Sequence, residues 1–291
     1  MKKKVFVALL VVLVLLIGTA CGGNAPQPNR QEDRTILSMG PASTEILVAL
    51  GMGDHIVGVD TFSGKIAGLP SDLPAFDMMA PDVEQMIALG PDVIFAAGIT
   101  QVDGLDPFEP LTEMGVKVVH LPWAVSIADI QADIRLIAAT VDAEAEGEAL
   151  IAEMEQEIAE IQAAVAEIEA PQTVYFEIGA PPFLFSFGQG VFLHEMLELV
   201  GAVNVFADQD AWFAPADEAV LDANADVILT NVGYVEDPVE DILTRPGWDV
   251  VTAVRDGRVY FIDPDSSSRP SHHIVQAMWE MARAVHPELF G

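Results

Sequence analysis

The sequence predicts an α/β protein of two similar lobes, each built on a parallel sheet with helices on both faces, that are joined by one long inter-lobe helix. Three observations predict this fold. Short apolar runs alternate with helical patterns in both halves of the chain, which is typical of parallel sheets with helices on both faces. The two halves share a short motif, and one uninterrupted amphipathic stretch, residues 143–170, lies between them.

The first 20 residues are predicted to be a secretory signal peptide that is not part of the fold. Lysines at positions 2–4 precede an unbroken apolar run from Val5 to Ile17, and small residues follow this run. The alternative is a transmembrane anchor, but such a helix needs about 20 apolar residues and this run is shorter. We therefore expect the protein to act outside the cytoplasm.

The only cysteine of the chain, Cys21, follows these small residues directly. This arrangement resembles the lipobox of bacterial lipoproteins, in which the cysteine is lipidated and becomes the new N-terminus, although Gly18 stands where an aliphatic residue is usual. The resemblance implies a lipid anchor at the cell membrane. Residues 21–33 would then be the lipidated cysteine and a flexible tether, since they have no apolar period. An ordinary signal with an incidental cysteine is the alternative.

The composition excludes several functional classes. The 45 acidic and 13 basic side chains give a net charge of −32, which opposes nucleic-acid binding and electrostatic docking on anionic lipid. A hydrophobic content of 51% excludes a disordered acidic tail, and one cysteine cannot form a disulfide within the chain. A surface with this large negative charge is soluble and self-repelling. We therefore expect a monomer in an extracellular or salty setting.

The N-terminal lobe is predicted over residues 34–142. Its short apolar runs are typical of buried parallel strands, and the stretches between them have helical periodicity. The predicted strands are residues 35–39, 56–59, 93–96 and 116–121, and the predicted helices are residues 44–50, 83–89 and 127–140.

The inter-lobe helix is predicted over residues 143–170, which contain one glycine and no proline. Its apolar residues are spaced three and four apart and form one stripe on a helix about 40 Å long. Pro171 is expected to end the helix. We expect the stripe to pack across both lobes, and a coiled-coil dimer is the alternative. The stripe consists of Ile151, Met154, Ile158, Ile161, Val165 and Ile168.

The C-terminal lobe is predicted over residues 171–291 with the same alternation of strands and helices. Glu84 and Glu218 each lie eight residues before the aspartate that starts the next strand, Asp92 or Asp226. This match indicates duplication of a lobe, and chance matching in an acidic chain is the alternative. The predicted strands are residues 174–178, 227–230 and 259–262, and the predicted helices are residues 192–200, 218–222 and 273–285.

Large apolar side chains stand in loops beside several predicted strands. Open α/β sheets bind ligands at the carboxyl ends of their strands, and aromatic residues in loops indicate a binding site. We therefore expect Phe62, Met78, Trp123 and Trp212 to contact a ligand.

A further candidate segment carries three alternating phenylalanines, Phe183, Phe185 and Phe187. In an extended segment these side chains would share one face. The pattern fits a pocket, in which Phe183 contacts the ligand, and it fits a core strand equally well.

The stretch from Asp265 to His273 follows the last predicted strand and opens the last predicted helix, with Ser271 as its expected N-cap. Arg269 is one of few cations and lies beside this helix start, which predicts a local anion site. Neutral imidazole binds iron, cobalt, nickel and zinc, so His272 or His273 is a candidate contact to the metal of a bound chelate. Adjacent helical residues point about 100° apart and would not share one ion. The alternative is that both histidines are only part of the start of the helix and do not contact a ligand.

Nothing in the sequence resembles a hydrolase or a nucleotide-binding site. The patterns G-x-S-x-G, H-E-x-x-H and G-x-x-x-x-G-K-[ST] are all absent. We therefore predict no catalytic residue, no cofactor and no metal site built from protein ligands alone.

Six stretches together carry a family resemblance, namely residues 36–47, 50–59, 82–94, 245–248, 255–260 and 286–290. They resemble the class III substrate-binding proteins of ABC importers, which capture iron–siderophores, haem and cobalamin. The resemblance extends from Arg34 to the C-terminus. It implies two Rossmann-like lobes joined by one long rigid inter-lobe helix, with a ligand cleft between the lobes. It also implies that Glu84 and Glu218 pair with arginines of the membrane permease.

The resemblance also implies ligand contacts at Phe62, Met78, Trp212 and Arg269. The protein is then expected to be an extracytoplasmic lipoprotein that captures an iron chelate, either a siderophore or haem, and delivers it to the permease and ATPase of an ABC importer. A corrinoid such as cobalamin is the alternative ligand. Anionic catecholate carriers are met by several cations in this family, so a single cleft arginine favours a less charged ligand.

Two further alternatives belong to other classes. A chelatase-like enzyme would use His272 with an acidic partner as a base, although a signal peptide and a tether disfavour it. A receptor for a free metal ion would need four histidines to converge, which their placement in the sequence does not suggest. These are His55, His120, His194 and His273.

Overall fold

The protein is described by a computed structural model over residues 34–100 and 106–290. The predicted signal peptide, the tether and Cys21 lie outside these described residues. The prediction of an α/β fold is confirmed, because two separate parallel sheets carry helices on their faces. Over the two described ranges, no helix is long and apolar enough to cross a membrane.

The N-terminal lobe is built on five strands. The central strands of this sheet are buried along their whole length, which explains their unbroken apolar runs. The strands are β1 (Ile36–Met39), β2 (Ile56–Asp60), β3 (Ala75–Phe76), β4 (Val93–Ala96) and β5 (Lys117–His120). All pair in parallel in the order β3-β2-β1-β4-β5. The sequence pattern does not predict β3, because two residues form no apolar run.

The helices of this lobe begin at the residues that local chemistry favours. Asp82 accepts a hydrogen bond from the backbone N–H of Gln85 at 3.0 Å, and Ser126 forms a capping box with Asp129. The helices are α1 (Pro41–Ala49), α2 (Val83–Leu89), α3 (Glu109–Glu113) and α4 (Ile127–Thr140), with 3-10 turns at Gly53–His55 and Gly98–Thr100. Helix α1 starts three residues before the predicted helix at 44–50, since proline suits the first helical turn.

One long helix, α5 (Glu144–Val165), connects the lobes and packs against helices of both. Its 22 residues make it about 33 Å long, and it ends five residues before the predicted end at 170. The apolar stripe from Ile151 to Val165 is buried, whereas Ile168 lies beyond the helix. The prediction that Pro171 ends the helix is therefore wrong. The buried stripe packs within the chain, as expected, and leaves no seam for a coiled-coil partner.

The C-terminal lobe has a four-stranded parallel sheet and a small antiparallel pair. Its strands are β6 (Gln172–Glu177), β7 (Ser186–Phe187), β8 (Ala202–Asn204), β9 (Trp212–Phe213), β10 (Val227–Thr230) and β11 (Val259–Phe261). The parallel sheet has the order β11-β10-β6-β8, and β7 pairs with β9. The helices are α6 (Phe192–Leu199), α7 (Asp217–Ala223), α8 (Pro238–Leu243), α9 (Thr252–Arg255), α10 (Pro264–Ser268), α11 (Ile274–Val285) and α12 (Pro287–Phe290), with a 3-10 turn at Trp248–Val250.

The same hydrogen-bonded bracket occurs in both lobes and supports their duplication. Asp92 accepts from the backbone N–H of Thr35 at 2.9 Å and from its hydroxyl at 3.0 Å. Asp226 accepts from the backbone N–H of Thr173 at 2.9 Å and from its hydroxyl at 2.7 Å. Each bracket ties together the starts of two neighbouring strands in its sheet, so the repeated aspartates have a shared structural role.

One continuous apolar core extends through both lobes and along α5, and each lobe has a further apolar cluster of its own. It includes Phe95 from the first sheet, Phe176 from the second, and Ile161 from α5, each with no exposed surface. Because the core is continuous, the loops at the carboxyl ends of both sheets are held on one rigid support.

Candidate ligand-binding site

The cleft between the lobes contains a cavity of about 240 Å³ at the carboxyl ends of the strands, which we call the main cavity. The N-terminal lobe contributes the loop between β1 and α1, the loop after β4 and the loop after β5. The C-terminal lobe contributes Phe192, Trp212 and the segment 268–270. Open α/β sheets bind ligands at this edge.

The walls of the main cavity are mainly apolar. Three apolar residues among the predicted ligand contacts, Met78, Trp123 and Trp212, line it together with Ile99. Trp123 is 58% exposed, so a large part of its ring is available to a ligand. Trp212 packs edge-on against the buried ring of Phe187, with 5.8 Å between ring centroids, and this contact fixes its position.

An aspartate on α4, Asp133, also lines the main cavity. Asp133 is 7% exposed, and no described residue gives its carboxylate a hydrogen bond or an ion pair. Burial raises the pKa of Asp133 to about 6, and the nearby negative charge of Asp129 acts in the same direction. This residue is not among the contacts predicted from the sequence. The sequence contains an indication of it, because Asp133 lies among the isoleucines on the buried face of the predicted helix 127–140.

A charged cluster joins the lobes beside the main cavity. The Oε1 atom of Glu45 lies 2.6 Å from Nη1 of Arg269, and the hydroxyl of Ser271 donates to Oε2 of Glu45 at 2.6 Å. Nδ1 of His273 lies 3.5 Å from the same Oε2 atom. Burial alone would raise the pKa of Glu45, but hydrogen bonds from His273, Ser271 and Arg269 hold this pKa below its ordinary value.

Two predictions for this segment are wrong. Arg269 lines the main cavity, but its guanidinium is bound by Glu45 and by Asp265, at 2.7 Å, so it does not form a free anion site. Ser271 is not the N-cap of the last long helix, which begins at Ile274 and has no side-chain cap. Both polar groups are instead drawn to the buried carboxylate of Glu45, which needs partners inside the protein.

The adjacent histidines line a second cavity of about 480 Å³, the side cavity, together with Phe62 and Lys65. The rings of His272 and His273 are 4.1 Å apart at their centroids. Burial lowers the pKa of His272 to about 4, and repulsion from His273 contributes, so the His272 ring is neutral at pH 7. Its Nδ1 atom is buried without a hydrogen-bond partner among the described residues.

The histidines do not assemble a metal site. Over the described ranges, no group of three or more His, Cys, Asp or Glu side chains is placed to hold a metal ion. His120 instead lies 3.0 Å from Asp106, and His194 lies 3.5 Å from Glu198. The convergence that a receptor for free metal ions would need is therefore not found in this part of the chain.

The three alternating phenylalanines do not share one face. The strand that contains them is limited to Ser186–Phe187, because residues 181–184 form a turn. Phe187 lies in the core, and Phe185 lines an outer cavity of about 790 Å³ with Phe62 and Trp212. Phe183 is 82% exposed and lines none of the three cavities.

The repeated glutamates occupy equivalent exposed positions. Glu84 is the second residue of α2, and Glu218 is the second residue of α7. Both helices end in a residue with left-handed backbone, Gly90 or Asn224. The two carboxylates therefore stand at matched places on the two lobes.

Two α/β lobes on one long helix, with an apolar cleft at the carboxyl ends of both sheets, have the architecture of a two-lobed solute-binding protein. Residues 36–266 match the family described as "Periplasmic binding protein", and the chain belongs to this family, in its class III branch. It is accordingly the substrate-binding protein of an ABC transporter, which has a small-molecule ligand and a membrane permease as partners.

Three similar proteins illustrate the family. An uncharacterized ABC transporter substrate-binding lipoprotein of Bacillus subtilis is 29% identical, over 100% of this chain and 99% of the relative. A vitamin B12-binding protein of Pectobacterium atrosepticum is 27% identical, over 73% of this chain and 75% of the relative. The crystal structure of a possible iron-binding, periplasmic solute-binding protein from Staphylococcus epidermidis has a TM-score of 0.78 and 29% identity, over 87% of this chain and 98% of that chain.

Proposed function

We propose that this protein captures a metal chelate without net negative charge, with a corrinoid as the favoured ligand, and delivers it to the permease and ATPase of an ABC importer. The observation that carries the proposal is the charge of the cleft. Its walls are apolar, its cleft arginine is bound by two carboxylates, and Asp133 adds a negative charge without a partner among the described residues. A ligand that enters such a cleft must be neutral or cationic, because an anion would be desolvated beside like charge.

This charge balance changes the preference among the expected ligands. Haem carries two propionates, and an iron tris-catecholate carries three negative charges. The three cavities are lined by a single arginine, Arg269, and a single lysine, Lys65, among the described residues. Lys65 is exposed at the side cavity, so neither cation is free inside the main cavity. Haem and catecholates are disfavoured, whereas a corrinoid presents uncharged carboxamides.

The names of relatives support the corrinoid. The relative from Pectobacterium atrosepticum is named a vitamin B12-binding protein. A neutral ferric trihydroxamate is the second candidate, and the similarity to the Staphylococcus epidermidis protein, which is described as possibly iron-binding, favours it. Both ligands are metal chelates without net negative charge, and both fit the same cleft chemistry.

The remaining contacts are proposed from the family resemblance and, for Trp123, from its place in the main cavity. We propose that Phe62, Met78, Trp123, Trp212 and Arg269 line the bound ligand, while His272 and His273 reach it only from the side cavity. Glu84 and Glu218 would meet the permease, which their matched exposed positions support.

A lipid on Cys21 would hold the protein at the outer side of the cell membrane. The Bacillus subtilis relative is named a lipoprotein, which supports this anchor. Two acyl chains or one chain with a second signal suffice for such anchoring. Mass determination of the membrane-extracted protein would test for a diacylated or triacylated N-terminal cysteine.

Native mass spectrometry of residues 22–291 tests the ligand proposal. The protein would be mixed with cyanocobalamin, a ferric trihydroxamate, a ferric tris-catecholate and hemin together, with ferric and zinc ions as controls. We expect one retained neutral chelate, cobalamin before the trihydroxamate. Retention of hemin or the catecholate alone would overturn the charge argument. Retention of a bare ion, or of nothing at micromolar ligand, would overturn chelate binding.

A further inference from the structure

We propose that Asp133 is the specificity-determining residue of the main cavity and accepts an N–H donor, a carboxamide or an ammonium group, from the bound chelate. The inference rests on the proposed function and narrows it. A chelate that presents only oxygen acceptors or carboxylates toward Asp133 would be rejected.

The first argument is the absence of any internal partner among the described residues. Asp133 lies on α4 between Ile130 and Ile134, both fully buried, and is itself 7% exposed. Charged side chains are rarely buried without a partner, because desolvation of a lone carboxylate is costly. The described residues supply no hydrogen bond to it, and Asp129, the charged neighbour that acts on it, is also acidic.

The second argument is where the carboxylate lies. Asp133 lines the main cavity with Trp123, Phe192 and Trp212, so its carboxylate lies among aromatic side chains. Ser43, another polar residue of this cavity, already donates its hydroxyl to the carbonyl of Gly40 at 2.9 Å. A bound ligand can therefore supply the donor that Asp133 does not receive from the described residues. Ligand sites typically combine apolar walls with a few polar groups that fix orientation.

The third argument is that the described part of the cleft lacks a competing cation. Arg269 also lines the main cavity, but Glu45 and Asp265 bind its guanidinium. Among the described residues, no hydrogen bond or ion pair joins Arg269 to Asp133. Asp133 therefore keeps its full acceptor capacity for the ligand, and an N–H donor that reaches it forms a charge-assisted hydrogen bond in a desolvated place.

Calorimetric titration with three chelates separates the two donor classes. The chelates are cyanocobalamin, a linear ferric trihydroxamate that ends in an ammonium group, and its N-acetylated form. The variants are Asp133→Asn and Asp133→Leu, with Glu169→Gln as an exposed control that removes the same charge from the surface. The first variant keeps a carbonyl acceptor and loses the charge, and the second loses both.

We expect the wild type to bind cobalamin or a trihydroxamate. Asp133→Leu should weaken binding by about 10-fold to 100-fold, since the ligand donor is left unpaired. Asp133→Asn should weaken an amide-bearing chelate by about 3-fold to 10-fold and an ammonium-bearing chelate by about 30-fold or more, because only the latter needs the charge. Glu169→Gln should bind like the wild type.

Stability of the ligand-free protein provides the second readout. Asp133→Asn should raise the melting temperature by about 3 °C or more, because it removes a buried charge without a partner. Loss of affinity together with a lower melting temperature would assign Asp133 a structural role and overturn the inference. Wild-type affinity in both Asp133 variants would overturn it too, while leaving chelate binding intact. If the wild type binds none of the three chelates, the proposed function itself fails.

Discussion

Glu45 and Arg269 form an ion pair across the cleft, with 2.6 Å between Oε1 and Nη1, although 224 residues separate them in the chain. The contact connects helix α1 of one lobe to the segment after α10 in the other. It has two consequences. It fixes the distance between the lobes beside the main cavity, and it removes the positive charge that the sequence alone assigns to the cleft.

The first prediction concerns Glu45→Gln. This change leaves the guanidinium of Arg269 with Asp265 alone, so the unfolding free energy should fall by about 2 kcal/mol and hemin should bind several-fold more tightly. Denaturant unfolding and hemin titration measure both effects. Asp265→Asn is the matched control, because Asp265 is 65% exposed at its side chain and an exposed ion pair contributes little. Equal stability losses in the two variants would contradict the role of Glu45.

The second prediction concerns the pH dependence that Asp133 adds. Its pKa rises from the ordinary 3.8 to about 6 in the folded protein. The unfolded chain therefore releases this proton at lower pH, and the group destabilises the fold above pH 6 and ceases to do so below pH 4. The change corresponds to about 3 kcal/mol between pH 7 and pH 4.

Comparison of the wild type with Asp133→Asn isolates this contribution, since other groups titrate equally in both. The difference in unfolding free energy should favour the variant at pH 7 and vanish near pH 4. Urea unfolding at a series of pH values measures it. A difference that stays constant with pH would show that the Asp133 carboxylate is not desolvated.

The third prediction has the opposite sign and concerns His272. Its pKa falls from 6.5 to about 4 in the folded protein. Between these pH values the unfolded chain binds a proton at His272 and the folded chain does not. Stability should therefore be lost as the pH falls from 6.5 toward 4, by about 3 kcal/mol. His272→Asn should lack this loss. His273→Asn removes only the repulsion that adds to this shift, so it should keep most of the loss, which burial causes. Equal pH curves for wild type and His272→Asn would contradict the prediction.

Much of the fold could be predicted because it depends on local pattern. The buried strands β1, β4 and β10 are unbroken apolar runs, and helices α2 and α4 have capping residues at their starts. The binding site is harder to predict from the sequence than the fold, because its charged side chains pair with residues that are far away in the chain. Arg269 is predicted to be a free cation until Glu45 is placed beside it, and the same carboxylate draws Ser271 away from the helix.

Other parts of the site depend on how the chain turns. Phe183 and Phe187 share a face only if the segment is extended throughout, and the turn at residues 181–184 separates them. Asp133 was within reach of the sequence, since a charged residue on the apolar face of a helix is unusual. Its role in binding could not be predicted without the position of the cavity, because the sequence pattern alone does not distinguish a paired carboxylate from an unpaired one.

The fourth prediction concerns the support of Trp123. Gly98 opens the 3-10 turn after β4, and a Cβ atom at this position would lie 2.9 Å from the carbonyl oxygen of Leu121 and 3.2 Å from the backbone nitrogen of Trp123. Backbone atoms cannot rotate away, so Gly98→Ala must push apart the loops after β4 and β5. We expect a loss of about 1 to 3 kcal/mol in stability and weaker chelate binding, because the indole of Trp123 moves with its loop.

Gly64→Ala is the matched control for this change. Gly64 lies in the loop after β2, and a Cβ atom there would meet nothing within 4 Å. Thermal unfolding, tryptophan emission and chelate titration would be measured on both variants. Gly98→Ala should shift all three, whereas Gly64→Ala should leave them unchanged. Unaltered emission and affinity in Gly98→Ala would mean that the loops after β4 and β5 move independently of each other, and that Trp123 is not held by this contact.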